Sequence, residues 1–244
     1  KKGFLFVNWH IIETEPMEAE KIMEKDRKLL EEISLSAQPI LHFYEWKGPS
    51  ITYGHFIDPH KFFCFQGLQE EGICVARRPT GGGIIFHLWD FAFSVLLPSS
   101  HVAFSQNTLE NYAYVNMAVL EAVEEFLQNK NGAELTSQDG ELIGTGSQHF
   151  CMAKPTKYDV MIRGKKVAGA AQRKTKAGLL HQGSISLMMP SQKILEKVLL
   201  PELVVAKAMQ TFTFPLLQEK ESIAALSSAR DEMKKLLQKH ITKR

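Results

Sequence analysis

The sequence is poor in whatever would make a protein disulfide-stapled, membrane-spanning or strongly charged. It has three cysteines, Cys64, Cys74 and Cys151, in 244 residues. An odd number without close spacing argues against a disulfide framework or a zinc site and fits a reducing compartment such as the cytoplasm. No apolar run approaches the roughly 18 residues of a membrane span. Neither sign of charge is in excess: 29 basic and 27 acidic side chains give a net +2, which makes no case for nucleic acid as a partner. There is no H-x-x-x-H and no clustered Cys/His, so metal binding has little support. The opening KKGFLFVNWHI is basic then apolar, but it runs into Glu13 and Glu15 without a small-residue cleavage site. It therefore reads as a first strand.

What is present is apolar residue, 44% of the chain, enough for the core of one domain over residues 1–244. Phe4 to Ile12 reads as a strand, and Pro16 is suited to the first turn of a helix over Met17–Ile33. Ile40–Trp46 and Ser50–Tyr53 read as a hairpin across Gly48-Pro49. Short strands follow at Ile73–Ala76 and Ile84–His87, then a buried one at Phe91–Leu97. Asn107–Gln128 is a long helix whose apolar face includes Leu109, Tyr112, Met117 and Val119, with Asn131-Gly132 as its stop. Strands at Tyr158–Ile162, Lys165–Ala171 and Leu179–Met189 precede helices at Ser191–Leu200 and Ser222–His240. This order is not strict βαβ alternation. It predicts an α+β fold with mixed, mainly antiparallel sheets packed against helices.

Two stretches carry chemistry. Arg77 to His87 reads RRPTGGGIIFH. Three consecutive glycines, Gly81, Gly82 and Gly83, cost backbone entropy and are kept where the chain turns tightly or approaches a ligand closely. Without Cβ atoms their N–H groups can converge into a nest, and Arg77 and Arg78 add positive charge, a combination suited to a phosphate or carboxylate. It is neither a P-loop nor a dinucleotide fingerprint. The plain alternative is a glycine-rich turn with two solvated arginines.

The second stretch, YDVMIRGKKVAGAAQRKTKAGLLHQGSIS, covers Tyr158–Ser186. Its strand of small residues leaves room against one face. Lys165 and Lys166 point to opposite sides, and a desolvated lysine can stabilise developing negative charge. Turn propensity alone favours two solvated lysines. His87 and His181 flank glycine-bearing segments, and nothing local makes either a base. Cys151, in SQHFCMAKP with His149 before it, is either a nucleophile under nearby positive charge or an inert thiol. Cys64 and Cys74 read as structural.

Together these segments resemble the lipoate–protein ligase and octanoyltransferase superfamily, which shares its catalytic fold with biotin–protein ligases. RRPTGGGIIFH looks like the family's Arg-Arg-x-Ser/Thr-Gly-Gly-Gly-x-Val-x-His signature. DVMIRGKKVAGAAQRKTKAGLLHQG, Asp159 to Gly183, looks like its Asp-Leu-x-x-x-Gly-Arg/Lys-Lys-Val/Ile-x-Gly-Ser-Ala segment and following His-Gly element. Weaker similarity through Trp46–Phe56 extends the match over about residues 1–200.

The resemblance implies roles. Gly81, Gly82 and Gly83, with Arg77 and Arg78, would hold the acyl tail and the charged end of an acyl-adenylate. Lys166 would touch the acyl carbonyl. Asp159 would orient the incoming lysine or a magnesium-bound phosphate. His87 and His181 would shape the pocket, and an acyl tunnel would run past Ala168, Gly169 and Ala171. The leading expectation is ATP- and Mg2+-dependent attachment of lipoate to a lysine of lipoyl domains in 2-oxoacid dehydrogenase E2 subunits, or of the glycine-cleavage H protein.

Departures weaken that expectation. Leu88-Trp89-Asp90 stands where an Asp often follows the motif histidine. The Asn-Met-Ala-x-Asp-Glu element is reduced to PMEAEKIMEKD, and residues 201–244 are too few for the ligases' C-terminal accessory domain, so a ligase would need it from a separate partner. CMAKPTKYD places Cys151, Pro155, Tyr158 and Asp159 at the spacing of the cysteine-dependent octanoyltransferases. The alternative is therefore ATP-independent octanoyl or lipoyl transfer through a Cys151 thioester, although Gly83 stands where those transferases often carry arginine. A non-catalytic acyl-binding module is the third reading.

Overall fold

The fold is described from a computed structural model covering residues 8–36, 38–128, 132–140, 146–217 and 222–244. Ten strands form two sheets. The strands are β1 (His10–Met17), β2 (Ile40–Trp46), β3 (Ser50–Tyr53), β4 (Cys74–Arg77), β5 (Ile84–His87), β6 (Asp90–Pro98), β7 (Ala133–Leu135), β8 (Val160–Ile162), β9 (Lys165–Lys174) and β10 (Gly178–Ser186). The larger sheet runs β1-β2-β6-β10-β9-β8-β7 and the smaller β4-β3-β5. Each has one parallel pair, β1 with β2 and β3 with β4, and is otherwise antiparallel. The expected α+β class, with mixed and mainly antiparallel sheets, is the class observed.

The helices are α1 (Ala19–Glu32), α2 (Phe65–Glu70), α3 (Thr108–Phe126), α4 (Gln192–Val198), α5 (Val205–Phe212) and α6 (Ile223–Ile241). Asn107 caps α3 by accepting the Leu109 N–H at 3.0 Å, which closes one of the helix's unpaired donors. Val115, Ala118, Val119, Ala122 and Val123 recur at helical spacing and are buried against Leu226, Ala229, Met233 and Leu237 of α6 and one face of the larger sheet. A second core lies between the smaller sheet and α2, α4 and α5. Among the described residues no helix is long and apolar enough to cross a membrane.

Several local expectations fail for physical reasons. Pro16 does not open a helix; it lies inside β1, and α1 starts beyond Glu18. β1 is an edge strand with a register shift between Thr14 and Met17, where a residue without an N–H is tolerated. Residues 4–7 of the expected first strand, and Asn131 of the expected helix stop, lie outside the described residues. β2 and β3 do not pair as a hairpin. Both are buried along most of their length, and each finds partners in a different sheet. Leu109 and Met117 are part-exposed at 39% and 37% rather than core.

Candidate active site

Lys166 is the second residue of β9 and is only 2% exposed. The β8–β9 register shifts between Val160 and Met161, so an extra residue of β9 is accommodated there and strand alternation is reset. Val167 and Ala168 both enter the core, while Lys166 comes to lie over Gly169. A Cβ on Gly169 would sit 2.5 Å from Lys166 Nζ, so glycine is what leaves the ammonium its place. Asp159 Oδ2 holds that ammonium at 2.6 Å. The same oxygen accepts the Thr156 N–H at 2.6 Å and the Thr156 hydroxyl at 2.8 Å. Lys165 faces the other way and donates to the Gln210 carbonyl at 3.2 Å. The two lysines therefore differ completely, against the solvated pair that turn propensity favours.

The glycine loop packs against the segment carrying Cys151. The Cys151 N–H donates to the Ile84 carbonyl at 3.0 Å, which fixes the cysteine beside β5. A Cβ on Gly83 would lie 3.4 Å from Cys151 Sγ, and one on Gly82 3.9 Å from it. A Cβ on Gly83 would also fall 2.1 Å from the His149 carbonyl oxygen. No side chain fits there, arginine included, while the cysteine segment lies this close. Gly82 has φ +81°, the left-handed region that favours glycine.

One cavity of ≈ 390 Å3 joins these groups: Gly82, Gly83, Cys151 and Lys166 line it with Tyr112 and Lys154. Tyr112 donates to the Ala170 carbonyl at 3.4 Å. Burial, with Cys151 and Asp159 nearby, pushes its phenol above the ordinary range. Leu109, Ile57 and Phe150 supply apolar wall.

Other expected site residues are placed differently. Arg78 is 3% exposed and turned inward. It donates to the Thr52 hydroxyl at 2.8 Å and to the carbonyls of Gly81 and Gly83 at 3.2 and 2.8 Å. Arg77 is exposed, its guanidinium 5.7 Å from the Tyr53 ring centroid. Neither arginine lines the cavity. His87 accepts or donates at Thr52 Oγ1 (2.8 Å) and Asp90 Oδ2 (2.7 Å) and borders a separate cavity with Trp46 and Arg230. His181 is fully buried behind Tyr112, ring centroids 5.7 Å apart. Burial holds its imidazole at about 3. Ala168 belongs to the core and Lys166 fills the space over Gly169, while Ala170 of the same small-residue strand lines the cavity with Cys151 and Lys166. Asp159 is held through Oδ2 by Lys166 and Thr156. Cys74 is exposed rather than structural.

Sequence reasoning missed Tyr112 and Lys154 as cavity residues. Tyr112 falls on the apolar stripe of α3, and only the tertiary fold shows that this end of the stripe leaves the core. It also missed the buried chain Asp26–Gln182–Thr80, with contacts of 2.6 and 2.7 Å, which ties α1 and β10 to the glycine loop.

The profile of the lipoyl protein ligase A/B catalytic domain matches residues 18–238. The chain belongs to this family. It is similar to octanoyltransferase LipM of Exiguobacterium sp., 27% identical over 190 residues that cover 77% of this chain and 69% of that protein. LipM of Bacillus subtilis is 27% identical over 173 residues, 70% and 62% of the two chains. LipM of Staphylococcus aureus is 26% identical over 179 residues, 72% and 65%. The chain thus spans less than two thirds of the length of the Bacillus subtilis and Staphylococcus aureus proteins. In fold, the family member is similar to lipoate-protein ligase A bound with ATP, with TM-score 0.66, 21% identity and coverage of 97% and 95%. The bipartite lipoate protein ligase of Thermoplasma acidophilum gives TM-score 0.62, 20% identity and coverage of 98% and 93%.

Proposed function

We propose that this chain transfers an octanoyl group from a carrier thioester to the lysine of a lipoyl-carrier domain, through a thioester on Cys151 and without ATP. The observation that carries the reading is the placement of Cys151 and a buried, carboxylate-held Lys166 in one cavity under the glycine loop. The relatives named octanoyltransferase favour it. Ligation through an adenylate, the leading expectation from sequence, is the less favoured reading because the relatives are named octanoyltransferase and Arg78 is turned away from the cavity.

In the first step the Cys151 thiolate attacks the donor's acyl carbon, the new C–S bond forms, and the donor thiolate leaves and takes a proton from solvent. In the second, the acceptor lysine's amine attacks the Cys151 thioester. The amide forms, the amine loses a proton, and the Cys151 thiolate is regenerated. Lys166 supplies fixed positive charge beside the reacting carbonyl, with Asp159 holding its position. Leu109, Ile57 and Phe150 receive the acyl chain, each buried methylene contributing about 0.8 kcal/mol. The acceptors this reading implies are lipoyl domains of 2-oxoacid dehydrogenase E2 subunits and the glycine-cleavage H protein.

The test is intact-mass analysis of a lipoyl domain incubated with the chain in two mixtures. One contains octanoyl carrier protein and no ATP, the other lipoate with Mg-ATP. The expected result is an octanoyl increment in the first, lost in Cys151→Ala. A lipoyl increment in the second alone would restore the ligase. Tight octanoate binding with no transfer in either would leave a binding module.

A further inference from the structure

We infer that the backbone N–H groups of Gly82 and Gly83 form the oxyanion hole of the transfer, and that buried Arg78 is the residue that positions them. The inference rests on the Cys151 transferase reading and adds where the charge on the reacting oxygen goes.

The carbonyls of the glycine loop all turn to one side. Gly81 O and Gly83 O accept from the Arg78 guanidinium, and Gly83 O also accepts the Gly54 N–H at 3.0 Å. Gly82 O lies against the Cα of Gly54, where a Cβ would come within 2.0 Å of it. In a trans peptide the N–H points opposite to the C=O of the same unit. The N–H of Gly82 therefore points away from Arg78, and that of Gly83 away from Gly54. Among the described residues neither N–H has an acceptor in hydrogen-bonding geometry. Both residues line the cavity that holds Cys151 and Lys166, close to the sulfur. Two successive free donors beside a nucleophile are a nest for an anion, and the anion generated there is the alkoxide of the tetrahedral intermediate.

Arg78 bridges β3 to the glycine loop from behind. It is a buried guanidinium that, among the described residues, has no carboxylate partner. Burying an unpaired cation is costly. Its charge, fixed behind the Gly81 carbonyl, polarises the peptide unit that carries the Gly82 N–H and lowers the energy of negative charge on the far side, while its bond to the Gly83 carbonyl holds the other end of the loop in place. In each half-reaction the sulfur or nitrogen nucleophile adds to the acyl carbon. The carbonyl π pair then moves onto oxygen, which accepts the two N–H bonds until the C=O re-forms and the leaving group departs.

The test uses the full chain labelled with 15N-glycine and treated with 1,1,1-trifluorodecan-2-one, to which the Cys151 thiolate adds to give a tetrahedral alkoxide. The 19F spectrum reports adduct formation. The expected result is a downfield shift of the Gly82 and Gly83 amide protons on adduct formation, with Gly48 and Gly164 unmoved. Unmoved Gly82 and Gly83 signals in a formed adduct overturn the inference.

Arg78→Lys keeps the charge but cannot bridge Thr52, Gly81 and Gly83 together. It should lower kcat about 10²-fold with donor KM nearly constant. Alkylation of Cys151 by iodoacetamide, a displacement that forms no oxyanion, should keep its wild-type rate. Equal slowing of both would make Arg78 a purely structural residue and overturn its assignment. Where the variant does not fold, the wild-type spectrum decides. If wild-type chain and octanoyl carrier protein yield no thioester on Cys151, the transferase reading itself falls and the oxyanion hole with it.

Discussion

Gly169 makes a claim about Lys166 that can be tested with one methyl group. A Cβ there meets Lys166 Nζ at 2.5 Å and Asp159 Oδ1 at 3.1 Å. The ammonium is the far end of a flexible side chain, so the fold yields by moving it rather than by breaking. Gly169→Ala is expected to keep its circular dichroism and lose transfer activity about 10²-fold, the scale on which a misplaced reacting group costs rate. A folded Gly169→Ala with wild-type turnover would show that the position of Lys166 does not matter. His181 supplies a different kind of test. Gln172 Nε2 lies 2.8 Å from its Nδ1. Its folded value of about 3 lies below the ordinary 6.5. Between those values the unfolded chain binds a proton that the folded chain does not, so stability is full above pH 6.5 and falls as pH is lowered. The loss at pH 5 is on the order of 2 kcal/mol. Urea melts at pH 7 and pH 5 should show a larger drop for the wild type than for His181→Gln; equal drops would remove His181 as the cause.

Elements with a strong local period were legible in the sequence, and elements shaped by distant partners were not. α3, α6, β6 and the β9–β10 pair stand within a few residues of their expected bounds because apolar spacing, an Asn or Ser cap and a turn agree there. α5, with buried Val205, Ala208 and Met209, is short and lacks a capping side chain, so no local signal announced it. Pro16 carried a helix-start signal that an edge strand overrode. The site divides in the same way. The glycine triplet, Lys166, Asp159 and Cys151 were all nameable, because each sits in a motif of fixed spacing. Nothing in the spacing of RRPTGGG tells that Arg78 turns inward toward Thr52 while Arg77 faces solvent. That choice is made by β3, which precedes the motif by more than twenty residues and pairs beside both β4 and β5. The room beside the small-residue strand was likewise foreseen: Lys166 takes the part over Gly169, and Ala170 lines the cavity beyond it.

The two sheets and α1 are tied together by buried polar groups as much as by apolar packing. Asp26 of α1 is fully buried and takes His42 Nδ1 at 2.7 Å, the Ser94 hydroxyl at 2.6 Å and the Gln182 amide at 2.6 Å. One carboxylate thus joins α1 to β2, β6 and β10. Gln182 in turn accepts from Thr80 at 2.7 Å, and Thr80 lies directly before the glycine triplet. Removing the carboxylate leaves three buried partners with a contact missing, and breaking such a network costs about 3–5 kcal/mol. Asp26→Ala should therefore lower the urea midpoint with the m-value kept, a loss of stability without a change in the surface exposed. Because the chain of contacts ends at Thr80, the same variant should speed hydrogen exchange at the glycine-loop amides more than at α6, which packs on α3 away from it. A wild-type midpoint would show that apolar packing alone holds α1 to the sheets. A lowered midpoint with unchanged loop exchange would confine Asp26 to the core and cut the link from α1 to the glycines that face Cys151.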